Sequence, residues 1–341
     1  MNMTFLDACY GKKTSYTPVW YMRQAGRYMP EYRKLKETNT ILDIVRTPEL
    51  AAKVSLQPVD LLGVDAAILF ADIMVPLIGI DVDLDIVENI GPVIAKPIQS
   101  LEDVQKLRTL EPEKDIPYLL ETIAILKNEL ENKLPLIGFS AAPFTLASYM
   151  IEGKPTRDFI KTKSFMYTNK PAWDLLMQKL SDMIIIYLRA QVSTGVQALQ
   201  LFDSWVGALS EEDYQTYVLP HTKRIFENLT DTSVPLIHFG TNTAGLLSSF
   251  ASVPCQVISI DWRISIAKAW KQIGYDKAIQ GNLDPVLLLS DWSTIKRHVD
   301  EMFASLPQRE GYIFNLGHGV LPPTPMENII KLTEYVHGKR L

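Results

Sequence analysis

Eight short apolar runs, separated by longer stretches with helical periodicity, constrain the fold of this chain most strongly. The runs are rich in branched and aromatic residues, which is typical of parallel strands covered by helices on both faces. They occupy residues 19–22, 66–71, 134–139, 196–202, 235–239, 257–260, 277–280 and 312–315. Eight strands that alternate with helices predict an α/β protein, a (β/α)8 (TIM) barrel.

The length of the chain agrees with one such domain. It has 341 residues, and barrels of this kind range from roughly 200 to more than 400 residues. A doubly wound open sheet is the alternative, but no GxGxxG follows an early strand and no GxxxxGK[ST] is present, so nothing marks a nucleotide site. Because no linker or repeat interrupts the chain, we expect a single domain over residues 1–341.

One segment departs from the alternation of strands and helices. Val82, Leu84 and Ile86 alternate with acidic residues, and Asn89 begins a turn that leads into residues 92–95. This pattern predicts a small inserted β-hairpin.

Three sequence signals predict where helices begin. Thr47 stands before Pro48, and Ser210 stands before three acidic residues. Thr324 is followed three residues later by Glu327, the spacing of a capping box. We therefore expect helices to start at these points.

Composition narrows the class of protein. The net charge of -5 argues against nucleic acid or an anionic membrane as the main partner. The most apolar run, residues 183–188, is too short to span a bilayer, and no signal peptide is evident. Only two cysteines occur, Cys9 and Cys255, outside any CxxC pattern. Neither a disulfide scaffold nor a cysteine-rich zinc site is expected, and a cytoplasmic location fits.

Barrel enzymes carry their chemistry at the carboxyl ends of the strands. Polar residues gather at the predicted strand ends, where a pocket would open. These residues are Arg23, Asp72, Ser140, Asp203, Ser204, Asp261, Asn282, Asn315 and His318.

The first strand end is rich in arginine. The segment PVWYMRQAGRYMPEYR holds Arg23, Arg27 and Arg33, and Gly26 lies between the first two. Arginines near a glycine that permits close backbone approach suit a ligand with several carboxylates. The alternative is a solvated basic loop that pairs with nearby glutamates.

The other candidates are weaker when each is taken alone. Asp72 could accept ligand N–H groups, act as a base with a raised pKa, or cap a helix. Tyr149 could donate a hydrogen bond or lie in the core, and Ser204 could donate from a loop. His318 lies between two glycines, an unusual place for a histidine that only packs. Three further histidines have surface-like helical contexts and no expected role: His221, His298 and His337.

Taken together, these segments resemble the uroporphyrinogen decarboxylase family over nearly the whole chain. The matching segments are PVWYMRQAGRYMPEYR, DAAILFADIMVP, GFSAAPFTLASYMIEG, QLFDSWVG, IQGNLDP and YIFNLGHGVLPPTP. The resemblance implies a homodimeric TIM barrel that removes four acetate carboxyl groups from uroporphyrinogen III, without a metal or organic cofactor, to give coproporphyrinogen III and CO2. By motif matching it implies catalytic roles for Asp72, Arg23, Arg27 and Tyr149. The implied substrate contacts are Arg23, Gln24, Ala25, Gly26, Arg27, Asp72, Tyr149, Ser204 and His318.

The chain departs from the family pattern at a few positions. Lys36 stands where some members have arginine, so a point charge replaces a bidentate fork. Lys154 follows a glycine that is often doubled in the family, and none of these changes falls on an implied contact.

The resemblance leaves the proton donor open. Arg23 is a family candidate, but a guanidinium with a pKa of about 12.5 or more is a reluctant acid. A water molecule or a substrate carboxyl held by Arg23 is the chemically easier alternative.

Two other functions are compatible with parts of this sequence. A zinc-dependent methyltransferase on a similar barrel needs His-x-Cys and a later cysteine, whereas this chain has His238-Phe239-Gly240. A non-catalytic tetrapyrrole carrier predicts the same arginine pocket without turnover.

Overall fold

The structure, a computed structural model, describes residues 3–87 and 90–339. Within these residues seven parallel strands form one curled sheet in the order β1, β4, β5, β6, β7, β8, β9. The strands are β1 (Ala67–Ile68), β4 (Leu136–Ala141), β5 (Ala198–Asp203), β6 (Leu236–Gly240), β7 (Val257–Ser259), β8 (Ala278–Leu283) and β9 (Tyr312–Leu316). With helices outside the sheet, this is the predicted α/β barrel.

An extended segment closes the barrel in place of a regular first strand. Val19 forms an isolated parallel bridge with Phe314 of β9, and the N–H of Phe314 donates to the carbonyl of Pro18 at 2.9 Å. On the other side the N–H of Asp65 donates to the carbonyl of Val19 at 2.7 Å. The prediction of a regular strand over residues 19–22 is therefore wrong, although the segment lies in the predicted place. Its ladder ends early because the N–H of Met22 turns to the side chain of Asn315.

The second predicted strand is also shorter than expected. β1 spans two residues where the apolar run predicted 66–71, because the N–H of Phe70 leaves the ladder and donates to Ser55 Oγ at 2.8 Å. The remaining six predicted strands overlap observed ones, and their ends differ by at most three residues.

The inserted hairpin is confirmed. β2 (Leu84–Val87) pairs antiparallel with β3 (Gly91–Ile94), while Asn89 of the predicted turn lies outside the described residues. The N–H of Ile94 donates to the carbonyl of Gly153 at 2.7 Å. The hairpin therefore packs against the end of the helix that carries Tyr149.

Seventeen α-helices occur in the described residues. They are α1 (Thr4–Cys9), α2 (Pro30–Lys36), α3 (Ile41–Arg46), α4 (Pro48–Leu62), α5 (Val75–Gly79), α6 (Leu101–Gln105), α7 (Pro112–Asp115), α8 (Pro117–Glu129), α9 (Pro143–Glu152), α10 (Ile160–Thr168), α11 (Lys170–Thr194), α12 (Glu211–Tyr217), α13 (Leu219–Glu227), α14 (Leu247–Ala251), α15 (Ile266–Ile273), α16 (Trp292–Ser305) and α17 (Met326–His337). None of these helices is long and apolar enough to cross a membrane.

The predicted helix starts have mixed outcomes. Ser210 caps α12 by accepting the N–H of Asp213, as expected. Thr47 does precede α4, but its hydroxyl donates to the carbonyl of Asp43 at 2.8 Å and caps nothing.

The predicted capping box at Thr324 is wrong. Helix α17 begins at Met326 with Pro325 in the cap position, and no side chain caps it. The hydroxyl of Thr324 is buried, with no partner in the part of the chain that the structure describes.

The interior of the barrel is filled. Apolar side chains from alternate strand positions form one cluster there, which α1 joins through Phe5 and Leu6. A polar layer lies among them, in which Trp20 Nε1 donates to Gln280 Oε1 at 2.8 Å and Gln280 Nε2 donates to Gln200 Oε1 at 3.0 Å. Because side chains fill this interior, a ligand has room only beyond the carboxyl ends of the strands.

Candidate active site

Asp72, Arg23 and Tyr149 form one electrostatic cluster at the carboxyl end of the barrel. Burial raises the pKa of Asp72, and the N–H of Met74 and the charge of Arg23 partly offset this rise. Burial also raises the pKa of Tyr149, Asp72 raises it further, and Arg23 opposes the rise. Tyr149 therefore keeps its proton at neutral pH and can donate a hydrogen bond. The structure thus brings together three of the predicted residues from different parts of the chain.

Asp72 lies just before α5 but does not cap it, because Met74 is the cap residue of this helix and no side chain caps it. The Oδ1 of Asp72 accepts the N–H of Met74 at 2.9 Å, and its carbonyl accepts the N–H of Val75, the first residue of α5, at 3.1 Å. Its Oδ2 has no hydrogen-bond partner among residues 3–87 and 90–339. One oxygen therefore holds the turn before α5, while the other remains available to a ligand.

The backbone aims Arg23 toward the loop that follows β9. Arg23 has a left-handed φ of 58°, which non-glycine residues adopt infrequently. Its side chain lies against Gly319, where an added Cβ would be 2.7 Å from Cγ of Arg23. Gly319 therefore leaves the space in which the arginine stem runs.

Gln24 has a different role from the one expected. Its side chain is fully buried, with Nε2 donating to the carbonyl of Ala66 at 3.1 Å and Oε1 accepting the N–H of Tyr21 at 3.1 Å. These bonds tie the arginine loop to the start of β1. The Gln24 side chain is therefore not available to a substrate. Any substrate contact in residues Gln24 to Gly26 has to come from backbone groups or from the methyl group of Ala25, and Ala25 and Gly26 are both partly buried.

The other two arginines of the segment, Arg27 and Arg33, have different roles. Arg27 is exposed. Burial raises the pKa of Tyr32 to about 12, the charge of Arg27 opposes this rise, and Asp72 adds to it. Arg33 donates from Nη1 to the carbonyls of Arg27 and Tyr28, both at 3.0 Å. Arg33 therefore holds the loop, and Arg27 belongs with the cluster around Asp72.

Tyr149 and Trp205, the residue that follows Ser204, form one wall of the site. Tyr149, on α9, is 8 % exposed and stacks on Trp205 with ring centroids 3.9 Å apart. Ser204 follows β5 and is partly buried, and its carbonyl accepts the hydroxyl of Thr241. The reading of strand ends missed Trp205, although it stands directly after Ser204 in the sequence.

His318 is held in its neutral form. Burial lowers its pKa to about 4, Arg23 and Arg263 lower it, and Asp261 raises it. A neutral imidazole at pH 7 offers one hydrogen-bond donor and one acceptor. His318 therefore suits ligand binding better than proton donation.

The charge state of His318 is directly measurable. In ¹⁵N-labelled protein the resonance missing from His318→Gln identifies this ring, and we expect it to stay neutral down to about pH 5. Below that it should charge with a midpoint near 4. A midpoint at or above the ordinary value of about 6.5 would contradict the buried, arginine-flanked position.

Asp203 is at a strand end but faces away from the pocket. It is fully buried, its Oδ1 accepts the hydroxyl of Thr145 at 3.3 Å, and its Oδ2 lies 3.9 Å from Nε2 of His238. Burial raises the pKa of Asp203 and lowers that of His238, so it favours the uncharged form of both. This pair packs between the sheet and the outer helices.

The rival zinc site rests on the stretch that contains His238. This ring packs against Phe226 and Phe250, with centroids 5.3 and 4.0 Å away. In residues 3–87 and 90–339, no three His, Cys, Asp or Glu side chains are grouped so that they could hold a metal ion.

The loop after β7 contributes an arginine that the sequence reading missed. Buried Asp261 accepts the N–H of Asn242 at 2.6 Å and forms an ion pair with Arg263. Asn282 supports this loop by donating to the carbonyl of Asp261 at 2.8 Å. Arg263 lies close behind a predicted strand end, as Arg23 does, so the same signal could have found it.

Comparisons with known proteins agree on one family. A family model described as uroporphyrinogen decarboxylase (URO-D) matches residues 1–339. A protein named uroporphyrinogen decarboxylase from Carboxydothermus hydrogenoformans is 50% identical over 337 residues, which cover 99% of this chain and 96% of that protein. One of the same name from Bacillus subtilis is 53% identical over 98% of this chain and 95% of its own.

A solved structure supports the fold independently. A methyltransferase from Methanosarcina mazei superposes with a TM-score of 0.81 at 21% identity, covering 98% of this chain and 97% of its own. At this identity the likeness concerns the fold alone.

Proposed function

This chain belongs to the uroporphyrinogen decarboxylase family, and we propose that it converts uroporphyrinogen III to coproporphyrinogen III by removing four acetate carboxyl groups as CO2. The enzyme is a carboxy-lyase of porphyrin and haem biosynthesis. The observation that best supports this function is Asp72, a partly buried carboxylate beside Arg23 whose pKa is raised by burial, at the end of a barrel that is filled below it.

The chemistry lies largely in the substrate. Protonation of the ring carbon next to the one that bears the acetate arm gives a cationic ring, whose positive charge reaches the acetate-bearing carbon. This ring accepts the electron pair of the breaking C–C bond as CO2 leaves, and an exocyclic methylene forms. A second proton then adds to the exocyclic methylene to form the methyl group, and the ring proton is lost. The net change at each acetate is the uptake of one proton and the release of one CO2. The protein has to bind a polyanion, stabilise a cation and control proton access, and the pyrrole itself serves as the electron sink.

Asp72 provides the stabilising charge in this proposal. Its Oδ2 has no partner among the described residues and can accept pyrrole N–H groups. A fixed carboxylate that is partly shielded from water favours positive charge on the ring more strongly than the same carboxylate in bulk water.

The remaining residues bind and orient the substrate. Arg23 and Arg27 hold carboxylates, for which guanidinium forks are well suited. Tyr149 donates a hydrogen bond from its raised-pKa hydroxyl, which its stacking on Trp205 orients. Neutral His318 and Ser204 supply further polar contacts, and the chain from Gln24 to Gly26 contributes backbone groups.

The proton is best assigned to a group held by Arg23. Arginine itself is too weak an acid, and His318, with a pKa of about 4, is unprotonated at neutral pH. A water molecule or a substrate carboxyl bound to Arg23 remains as the donor.

The assembly and location are part of the same proposal. Residues 1–341 form one domain, two copies form a homodimer, and the enzyme works in the cytoplasm. The two cysteines support a reducing compartment, since both are unpaired and buried. Light scattering of the purified protein tests the dimer.

Anaerobic incubation with freshly reduced uroporphyrinogen III tests the function. Metal-stripped protein should convert it stepwise through seven-, six- and five-carboxyl products to coproporphyrinogen, detected after oxidation and separation by carboxyl number. Binding without loss of carboxyl groups would favour the carrier function. Neither binding nor turnover, with stoichiometric zinc in protein as isolated, would favour the methyltransferase.

A further inference from the structure

Arg263 presents a fixed guanidinium at the mouth of the barrel. Its Nη1 forms an ion pair with buried Asp261, and its guanidinium carbon lies 4.3 Å from the ring centroid of Trp262. The side chain is nevertheless 45% exposed. Two contacts therefore hold the charge in place while part of it faces solvent.

The loop after β9 lies between Arg263 and Arg23. An added Cβ at Gly317 would be 2.9 Å from the ring of Trp262, and one at Gly319 would be 2.7 Å from Cγ of Arg23. His318, between these glycines, is therefore flanked by the arginine loop on one side and by the Trp262 loop on the other. The two guanidinium groups approach the same imidazole from different strand ends.

The electrostatics agree with this geometry. Burial is the main cause of the lowered pKa of His318, both arginines lower it further, and Asp261 raises it. A neutral histidine between two cations favours an anionic ligand.

The guanidinium of Arg263 has further N–H donors that can bind such a ligand. Apart from Nη1, its guanidinium nitrogens have no hydrogen-bond partner among residues 3–87 and 90–339. Asp261 is also bonded by the N–H of Asn242 and by the N–H of Arg263 itself. The Asp261 carboxylate therefore has hydrogen-bond partners other than the Arg263 guanidinium.

We propose that Arg263 binds a peripheral carboxylate of the porphyrinogen, across His318 from the carboxylates held by Arg23 and Arg27. The inference rests on the proposed function. A macrocycle that carries carboxylates around its whole rim needs cations on more than one side, and Arg23 and Arg27 both come from the loop between the extended first segment and α2. Arg263 supplies the second side and acts in binding.

Kinetics of two variants test this assignment. We expect Arg263→Gln to raise KM for uroporphyrinogen about tenfold, the loss expected for one charge-assisted contact, with kcat within about twofold. Arg263→Lys should restore part of the affinity, because it keeps the charge but not the fork. Arg297→Gln is the matched control, since Arg297 pairs with Glu301 on the surface of α16, and it should leave KM unchanged.

The outcomes separate this inference from the proposed function. Wild-type protein that releases no CO2 from uroporphyrinogen would refute the function itself. Normal wild-type turnover with an unchanged KM in Arg263→Gln would refute only the role of Arg263. A fall in kcat and in the melting temperature without a rise in KM would show that Arg263 only supports the loop, and would also overturn the proposal.

Discussion

Replacing Asp72 with asparagine is expected to lower kcat by about 10²–10³-fold or more, the range seen when a single preorganised electrostatic contact is lost. Asparagine keeps an oxygen for the N–H of Met74, which Asp72 accepts at 2.9 Å, so helix α5 should still start normally. The negative charge opposite the cationic pyrrole is lost. Steady-state turnover of uroporphyrinogen measures the effect, with Asp60→Asn as the control, since Asp60 lies on the exposed side of α4.

The same variant should be at least as stable as the wild type at neutral pH. Burial raises the pKa of folded Asp72 above its unfolded value, so the ionised carboxylate destabilises the folded state at higher pH. Asparagine removes this cost, and the difference should vanish below about pH 4, where the unfolded aspartate is also protonated. Urea unfolding at pH 4 and pH 7 measures it. Near-normal turnover, or a clear loss of stability at pH 7, would refute the role given to Asp72.

The pH profile of the wild type follows from the same shift. Activity should fall on the acid side with an apparent pKa above the value of about 3.9 for an ordinary aspartate, because burial favours the protonated form of Asp72. The small residual activity of Asp72→Asn should lack this acid limb.

Asp65→Ala is expected to produce the largest loss of stability, about 3 kcal/mol or more. The side chain of Asp65 is 3% exposed and lies 2.7 Å from Nε2 of His337. It also accepts the hydroxyl of Tyr16 at 2.7 Å and the N–H of Val19 at 2.8 Å. Alanine removes the acceptor that these three groups share at the seam where the extended segment closes the barrel.

Urea unfolding followed by far-UV circular dichroism measures this loss. Asp231→Ala is the control, because Asp231 forms an exposed pair with Arg189 and should contribute far less. Equal losses in the two variants would mean that the seam does not depend on Asp65. His337, which the sequence suggested was an unremarkable surface residue, has a structural role in this seam.

Local chemistry predicted a group of candidate residues that the structure brings close together. Arg23, Asp72, Tyr149 and His318 were identified from strand ends and matching motifs, and the structure places Arg23 in electrostatic contact with the other three. Strand ends are predictable because apolar runs end where polar residues begin, and in a barrel these ends meet at one rim.

Side-chain direction was the main source of error at the site. Asp203 and Gln24 both come from segments expected to line the pocket, yet both are buried in structural contacts. Successive residues of a strand point to opposite faces, so a one-residue uncertainty in the strand end decides whether a side chain faces the pocket. The role of Gln24 was equally hidden, because its partners Ala66 and Tyr21 depend on how the loop folds back.

By itself, the sequence determined the α/β barrel, the inserted hairpin, the family and most of the candidate residues, because these depend on periodicity and local motifs. The tertiary structure alone decided how the barrel closes, since Val19 and Asp65 lie 46 positions apart and pair through a carboxylate that no periodic pattern encodes. It also decided that His318 lies between Arg23 and Arg263. These contacts depend on how distant segments pack at the rim, where Gly317 and Gly319 leave room for two other loops. This room exists only in the folded chain, so no local sequence pattern predicts it.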